Sequence, residues 1–311
     1  MEETGHSVVN IDNLSYGSNP SNLAGVDNPR YRFVMGDIGD ALAIQKLIHD
    51  VDAVVNFAAE THVDRSIAEP WPFFRSNIGG VVTILEEIRK AKGKIRFIQV
   101  GTDESYGDII RGSYKEGDPL TPSSPYSASK ASADLFVAAY HRTYGLDTCV
   151  TRCTNNYGPY QFPEKLIPKA IIRAQRGLKI PIYGTGQNIR DWLYVGDHCR
   201  ALQLVLEKGK PGSIYNISAG NEVSNISIVK KILSIMKLPG ERIEFVEDRP
   251  GHDIRYSLDS SKIRSELGWK PGSDFGKALA RTIDWYLANE VWWAPLADEK
   301  TLHPTPWKLK W

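Results

Sequence analysis

Five short, continuous runs of apolar, β-prone residues in the first half of the chain constrain its fold more than any other feature. They cover 6–12, 32–37, 52–59, 96–101 and 147–152. A strand with one wet face alternates apolar with polar residues, whereas a continuous run marks a strand covered on both faces, as in a parallel sheet. Helical patterns fill 40–49, 77–92 and 127–144 between these runs. Repeated strand–helix–strand order predicts a doubly wound, Rossmann-like α/β fold. Ligands of such a sheet bind at the C-terminal ends of its strands. Asp12, Asp37, Ala58–Glu60 and Thr102–Glu104 all fall at those ends.

Beyond about residue 153 prolines and glycines interrupt the chain, for example at Gly158-Pro159, Pro211-Gly212 and Pro250-Gly251. Helices are expected at 197–208, 226–236 and 275–289, and a strand at 213–217. This part reads as a second, smaller α/β lobe interleaved with a return to the main sheet. The expected division is 1–153 plus about 187–217 for a dinucleotide-binding domain, and about 154–186 plus 218–311 for the smaller lobe. The last twenty residues, rich in Trp and Pro, are expected to pack as an ordered tail. With 38 basic and 37 acidic residues the net charge is +1, which speaks against nucleic acid or an anionic membrane as partner. No apolar stretch approaches the roughly 18–20 residues that span a bilayer. The first six residues lack the basic and apolar regions of a secretory signal. Cys149, Cys153 and Cys199, three and sparse, fit reduced thiols in a cytoplasmic protein and offer no metal-ligand spacing.

Two constellations carry chemistry. In Tyr126-Ser-Ala-Ser-Lys130, residues four apart share a helix face. An ammonium beside a phenol favours the phenolate, so the tyrosine pKa is expected to fall toward that of a usable base. Thr102-Asp103-Glu104 follows a strand directly, and two close carboxylates push their pKa values apart into an acid and a base. A surface Tyr/Lys pair and a solvated acidic turn are the plainer readings. The nearness of the two constellations favours function.

These residues also carry a resemblance. Asn56-Phe-Ala-Ala-Glu-Thr-His-Val-Asp-Arg-Ser66, Thr102-Asp-Glu-Ser-Tyr-Gly107, Tyr126-x-x-x-Lys130 and 151–166 resemble the dTDP-glucose 4,6-dehydratases, an extended short-chain dehydrogenase/reductase family. Further matches are 186–192, 215–222, Asp248-Arg-Pro-Gly-His-Asp253 and Leu267-Gly-Trp-Lys-Pro271, in order along almost the whole chain. The resemblance implies an NAD-dependent lyase of nucleotide-sugar metabolism, of the kind used in rhamnose biosynthesis. It implies that Tyr126, supported by Lys130, takes the proton of the sugar 4-hydroxyl while the 4-hydride passes to NAD. Glu104 then removes the carbon-5 proton, Asp103 protonates the departing 6-hydroxyl, the hydride returns to carbon 6, and Thr102 holds the 4-oxygen. A 4-epimerase of the same fold has no work for Asp103 and Glu104, so the acid pair discriminates in favour of dehydration.

For the cofactor the resemblance implies contacts from Asp12, Asn13, Leu14, Ser15, Tyr16, Asp37, Ile38, Phe57, Ala58, Ala59, Ser76 and Asn156, with Tyr126 and Lys130. An acid ending its strand accepts both ribose hydroxyls and selects NAD over its phosphorylated form. For the dTDP-hexose it implies Thr61, Thr102, Asn155, Lys165, Leu166, Pro181, Ile182, Tyr183, Arg190, Asn221, Arg249 and His252. Arg190 and Arg249 suit a diphosphate because a guanidinium bridges several oxygens. His62 and His198 are expected to be structural. A homodimer through a four-helix contact of 77–92 and 127–144 is also implied.

One element of the family pattern is not found. Family members begin with a strand and a Gly-x-x-Gly-x-x-Gly loop whose N–H groups meet the pyrophosphate, and no such motif precedes His6. Residues 2–6 resemble the end of the helix that follows that loop, so about 20 residues of a strand–helix unit are expected to be lacking. Ser105 replaces the family's usual valine. The alternatives are a UDP-sugar epimerase or decarboxylase, or a catalytically dead sugar-nucleotide-binding scaffold.

Overall fold

The computed structural model describes residues 4–91 and 93–311. The expected helix end at 2–6 falls partly outside them, and Lys92 at the end of the expected 77–92 helix lies outside them. The chain opens with a parallel pair, β1 (Val8–Asp12) and β2 (Tyr31–Met35). The main sheet then forms from β3 (Ala53–Asn56), β4 (Arg96–Thr102), β5 (Thr148–Cys153) and β9 (Ile214–Ile217), all parallel in the order β3-β4-β5-β9. Its continuous apolar runs are covered on both faces. On one face α1 (Ala41–Ile48), α4 (Val81–Lys90) and α5 (Pro125–Tyr144) bring Ile44, Ile48, Ile84, Leu85 and Val137 against Phe97 and Val150. On the other, α7 (Val195–Lys208) and α9 (Ser261–Leu267) bring Leu202, Val205 and Ile263 against Ile98 and Ile217.

β1 and β2 differ from that expectation. Phe33 and Met35 are exposed, and β1 forms no hydrogen-bonded ladder with the main sheet. Val9 and Ile11 on one side, and Val54 and Val55 on the other, instead line a cavity between the two sheets. The doubly wound sheet is therefore present as two parallel pieces with facing edges.

Local sequence explains how α5 is placed. Ser124 caps it, Ser127 completes a reciprocal capping box, Pro125 fills the first turn, and Gly145 ends it in the left-handed conformation at φ 70°. The helical run before β4 starts earlier than expected: α2 (Val63–Ala68) and α3 (Trp71–Phe73) precede a wide π-helical stretch (Phe74–Gly80) that runs into α4.

The second lobe holds two small sheets. In one, β8 (Ile189–Tyr194) pairs in parallel with β6 (Asn155–Tyr157) and antiparallel with β10 (Glu222–Ser224); in the other, β7 (Ile180–Tyr183) pairs with β11 (Ile243–Val246). Around them α6 (Leu166–Gln175), α8 (Asn225–Ile235), α10 (Phe275–Ala288) and α11 (Glu290–Trp293) bury Ile171, Ile232, Leu279 and Trp293. Two segments correct the expected division. β8 belongs to the lobe because its ladder partners are β6 and β10. α9 with Trp269 belongs to the main sheet, whose outer face it covers.

The tail is ordered by side chains of α6 and its C-cap: Lys169, Arg173 and the capping Arg176 donate to the carbonyls of His303, Leu302 and Ala297. It then returns to the first lobe, where Trp311 packs edge-on to Tyr16 and beneath the Arg65 guanidinium. Of the cysteines, Cys149 and Cys153 are buried and Cys199 is exposed; all three are free. Among the described residues no helix is long and apolar enough to cross a membrane.

The turn after β4 depends on Gly107, at φ 83°, where an added Cβ would lie 2.2 Å from the Thr121 carbonyl oxygen. Gly107→Ala should cost about 2 kcal/mol or more, from strain and overpacking together. It should appear as a lower urea midpoint at unchanged m-value. An unaltered midpoint contradicts this account of the turn.

Candidate active site

β4 ends at Thr102, and the chain turns at once into a single 3₁₀ turn, Asp103–Tyr106. The Thr102 hydroxyl caps that turn, accepting from Glu104 N at 3.3 Å, and donates to Asp103 Oδ1 at 3.1 Å. α5 lies across the same strand end. Its Tyr126 is anchored through its backbone N–H to Ser66 Oγ at 3.1 Å and packs with Val63 and Phe73. The Tyr126 phenol meets the Thr102 hydroxyl, and one turn on, Lys130 Nζ donates to the Val100 carbonyl at 2.7 Å. Thr102, Asp103, Glu104, Tyr126 and Lys130 are thus gathered at one strand end, as their spacing suggested.

Burial dominates their electrostatics. It pushes the Asp103 carboxyl well above the usual carboxylate range, and the Glu104 charge adds to the shift. Glu104 is also raised by burial, but the cations of Arg249, Arg190 and Lys165 oppose that. Asp103 is therefore suited to hold a proton that it can donate, and Glu104 to lose one. The expectation for Tyr126 requires correction. Burial, then the charges of Glu104 and Cys153, raise the phenol well above 10, and only the Thr102 hydroxyl lowers it among the leading influences. Lys130 lies one turn along the helix but is not among the leading influences on the phenol, which are burial and the neighbouring acidic groups. A proton held on Asp103 removes one negative charge beside Tyr126, so the acid and the phenol are coupled.

Two cavities adjoin this centre. The larger, about 720 Å³, runs between β1 and β3. Of the residues expected around a cofactor, Asp12, Asn13, Ser15, Tyr16, Asp37, Ile38, Phe57, Ala58, Ala59 and Ser76 line it. Leu14 lies off its wall, at φ 52°, its N–H bonded to Asp12 Oδ1. Tyr126 and Lys130 are not part of its lining, and Asn156 lines the other cavity. Asp37 accepts from Asn13 Nδ2 and Gly39 N at 2.8 and 2.7 Å, which ties the loops after β1 and β2 together.

The smaller cavity, about 190 Å³, is lined by Thr61, Asn155, Lys165, Leu166, Pro181, Ile182, Tyr183, Arg190, Arg249 and His252, all expected around a substrate, and by Glu104. Thr102 and Asn221 lie outside that lining. The Asn221 backbone donates to Asp191, and Asn225, beyond β10 at the start of α8, stands on the wall. Thr61, His62 and Glu164 line both cavities, joining them into one cleft.

Two acids on this wall, Asp64 and Glu164, were assigned no role from sequence, and they hold a charge cluster together. Asp64 accepts from Arg249 at 3.0 Å and from the Tyr183 phenol at 2.9 Å. Glu164 pairs with Lys165 at 3.0 Å and lies 3.2 Å from His62 Nδ1. Burial pushes His62 down to about 4, so it is neutral at pH 7, and pushes Lys169 down to about 8. Glu164 directly precedes Lys165 and Asp64 lies three residues after Thr61, and that nearness was the available signal. Arg190 is engaged with the carbonyls of Ile189, Ile254 and Asp253 and stacks 4.1 Å from the Tyr256 ring centroid, so its guanidinium is fixed in place.

A doubly wound sheet whose β4 end carries an acid pair beside a Tyr/Lys helix face, opening on two joined cavities, defines an enzyme of the extended short-chain dehydrogenase/reductase type. The family model described as GDP-mannose 4,6 dehydratase matches residues 1–282, and the chain belongs to that family. It is 51% identical over 288 residues to a dTDP-glucose 4,6-dehydratase of Actinoplanes sp., covering 92% of this chain and 89% of that one. With the dTDP-glucose 4,6-dehydratase of Escherichia coli it is 46% identical, covering 96% and 91%. The crystal structure of DesIV, a dTDP-glucose 4,6-dehydratase from Streptomyces venezuelae with NAD bound, superposes with a TM-score of 0.92 at 48% identity, covering 94% of this chain and 91% of that one.

The shift on Asp103 has a consequence for stability. Its pKa is raised on folding, so its favourable contribution is complete below the unfolded value of 3.8 and declines as pH rises toward the folded one. The slope is about 1.4 kcal/mol per pH unit for one proton. Asp103→Asn, which does not titrate, should gain in thermal midpoint relative to the parent between pH 4 and pH 8, while losing turnover. A parent–variant difference independent of pH contradicts a protonated Asp103.

Proposed function

We propose that the chain converts dTDP-glucose to dTDP-4-keto-6-deoxyglucose with NAD as a retained cofactor. The observation that carries this reading is the buried Asp103 and the half-buried, cleft-lining Glu104 beside Tyr126, because an elimination needs both an acid and a base next to the oxidising centre. Epimerisation uses the phenol alone and leaves both carboxylates without work.

The larger cavity fits the cofactor. At about 720 Å³ it lies within the usual range of roughly 300–1,000 Å³ for a bound small molecule, and it ends at carboxylates suited to ribose hydroxyls. Asp12 and Asp37 hold the adenosine end, Ile38, Phe57, Ala58 and Ala59 line the dinucleotide, and Ser76 supplies a polar contact. NAD accepts the hydride of carbon 4 and returns it to carbon 6. Tyr126 receives the 4-hydroxyl proton in its phenolate form, which the Lys130 ammonium favours against the cost of burial, and Thr102 holds the 4-oxygen. Glu104 removes the carbon-5 proton, and Asp103 donates to the leaving 6-hydroxyl. Arg249, Lys165 and Arg190 face the diphosphate, Asn155, Tyr183 and Asn225 the remainder of the sugar nucleotide.

The likeness to DesIV and to the curated dehydratases supports both substrate and cofactor. Free cysteines support a reducing, cytoplasmic setting. Leu135, Phe136 and Tyr144 are exposed along α5, with Trp71 and Phe74 at the start of the neighbouring helical run, which supports a homodimer through these helices.

Incubated with NAD and dTDP-glucose, the chain should form the 4-keto-6-deoxy product. Glu104→Gln should lower its formation by about a hundredfold or more while hydride transfer to NAD stays detectable at 340 nm. Elimination at the parent rate in that variant overturns the assignment of the base. For assembly, sedimentation velocity should give a dimer that Leu135→Glu converts to monomer; a parent chain that sediments as a monomer contradicts the helix contact.

A further inference from the structure

The helix that carries Tyr126 and Lys130 bears a third buried polar residue on the same face. Asp134 stands one turn beyond Lys130, is 1% exposed, and accepts from Arg152 Nε at 2.8 Å through Oδ2. Its other oxygen, Oδ1, is buried without a hydrogen-bond partner. A surface ion pair leaves its second oxygen to water, so a dry, unbonded oxygen is held there against a cost of about 1–3 kcal/mol unless a charge faces it.

The cation one turn before it on the same helix face is Lys130. Lys130 is 5% exposed, and its ammonium makes one bond, to the Val100 carbonyl. The groups facing it are Asp134 from α5, Cys153 from β5 and that carbonyl from β4, with Tyr126 one turn before it. Burial favours the neutral amine, and Asp134 is the main influence opposing this. Arg152, which holds Asp134 in place, also donates to the Tyr106 phenol at 2.8 Å and stacks over that ring. Tyr106 closes the 3₁₀ turn carrying Asp103 and Glu104, and its phenol donates to Asn216 of β9 at 2.9 Å. β4 passes so near that a Cβ on Gly101 would lie 3.1 Å from Asp134 Oδ1 and 2.6 Å from the Thr151 carbonyl oxygen.

We propose that Asp134, clamped by Arg152, is a positioning residue that keeps Lys130 charged beneath Tyr126 and locks the Asp103–Tyr106 turn against α5. It touches neither cavity and acts through Lys130 and Arg152. The inference deepens the dehydratase reading and rests on it for the roles of Tyr126 and Lys130.

The test uses Asp134→Asn and the double variant Asp134→Asn/Arg152→Gln. The single variant strands the Arg152 charge and should lose thermal stability, which the double variant should recover by removing that charge. In both, kcat should fall by about tenfold or more with the KM for dTDP-glucose nearly unchanged. The basic limb of the kcat profile should move down by roughly one pH unit, because Lys130 loses its opposing anion. Chains labelled with ¹³C at lysine Cε, with Lys130 assigned through Lys130→Arg, should show the same downward move of the Lys130 midpoint. A double variant with parental kcat, pH profile and Lys130 midpoint overturns the proposal and leaves Asp134 a structural ion-pair partner. A parent that makes no product sinks the dehydratase reading, while the Lys130 titration still decides this inference.

Discussion

Two carboxylates and a phenol are held at the dry end of β4, and much of the fold serves to keep them there. Each ionisable group is worse off than in water, because burial disfavours its charged form and the neighbouring anions oppose it further. Such a site persists only where the scaffold over-determines it. β4 is paired on both sides, Thr102 caps the turn, and Gly107 admits the close approach of the Thr121 carbonyl. The capping box at Ser124 sets the start of α5 and with it the height of Tyr126 above the strand end.

The cations are placed unequally around this charge. Arg249, Arg190 and Lys165 bear on Glu104 from the cleft side, whereas Asp103 faces a smaller share of them. This asymmetry favours the proton on Asp103 over Glu104, the difference that the proposed elimination needs. Arg249 is itself held by Asp64, and Arg190 by three backbone carbonyls, so their positions are set before any ligand enters. The C-terminal tail reaches the same region from the far lobe, with Trp311 on Arg65 and Trp307 on Tyr183.

The parts of this arrangement readable from sequence were those with strong local patterns. β3, β4 and β5 were legible because strands covered on both faces have continuous apolar runs, and α5 because its cap and glycine stop are local. β6, β8 and β10 were not: they are three to six residues long, rich in Asn, Arg and Asp, and pair with partners far away in the chain. The exposed faces of β1 and β2 were misread because the same apolar run suits a strand whose edge adjoins a cavity. At the site, motif spacing identified Thr102 to Glu104 and Tyr126 with Lys130. The direction of the Tyr126 shift was lost, since a sequence lists charges but not their distances or the water around them. Asp64, Glu164 and Asn225 join the cleft through contacts across lobes, which no local pattern encodes.

The central claim is that one buried centre oxidises carbon 4, eliminates water across carbons 5 and 6, and reduces carbon 6 without releasing the hydride. dTDP-glucose carrying deuterium at carbon 4, converted by the chain and read by proton and deuterium NMR, tests this most directly. The account predicts a 4-keto-6-deoxy sugar with the deuterium at carbon 6 and a solvent-derived hydrogen at carbon 5. Deuterium retained at carbon 4 of an epimeric sugar, or a keto product without deuterium at carbon 6, would contradict it.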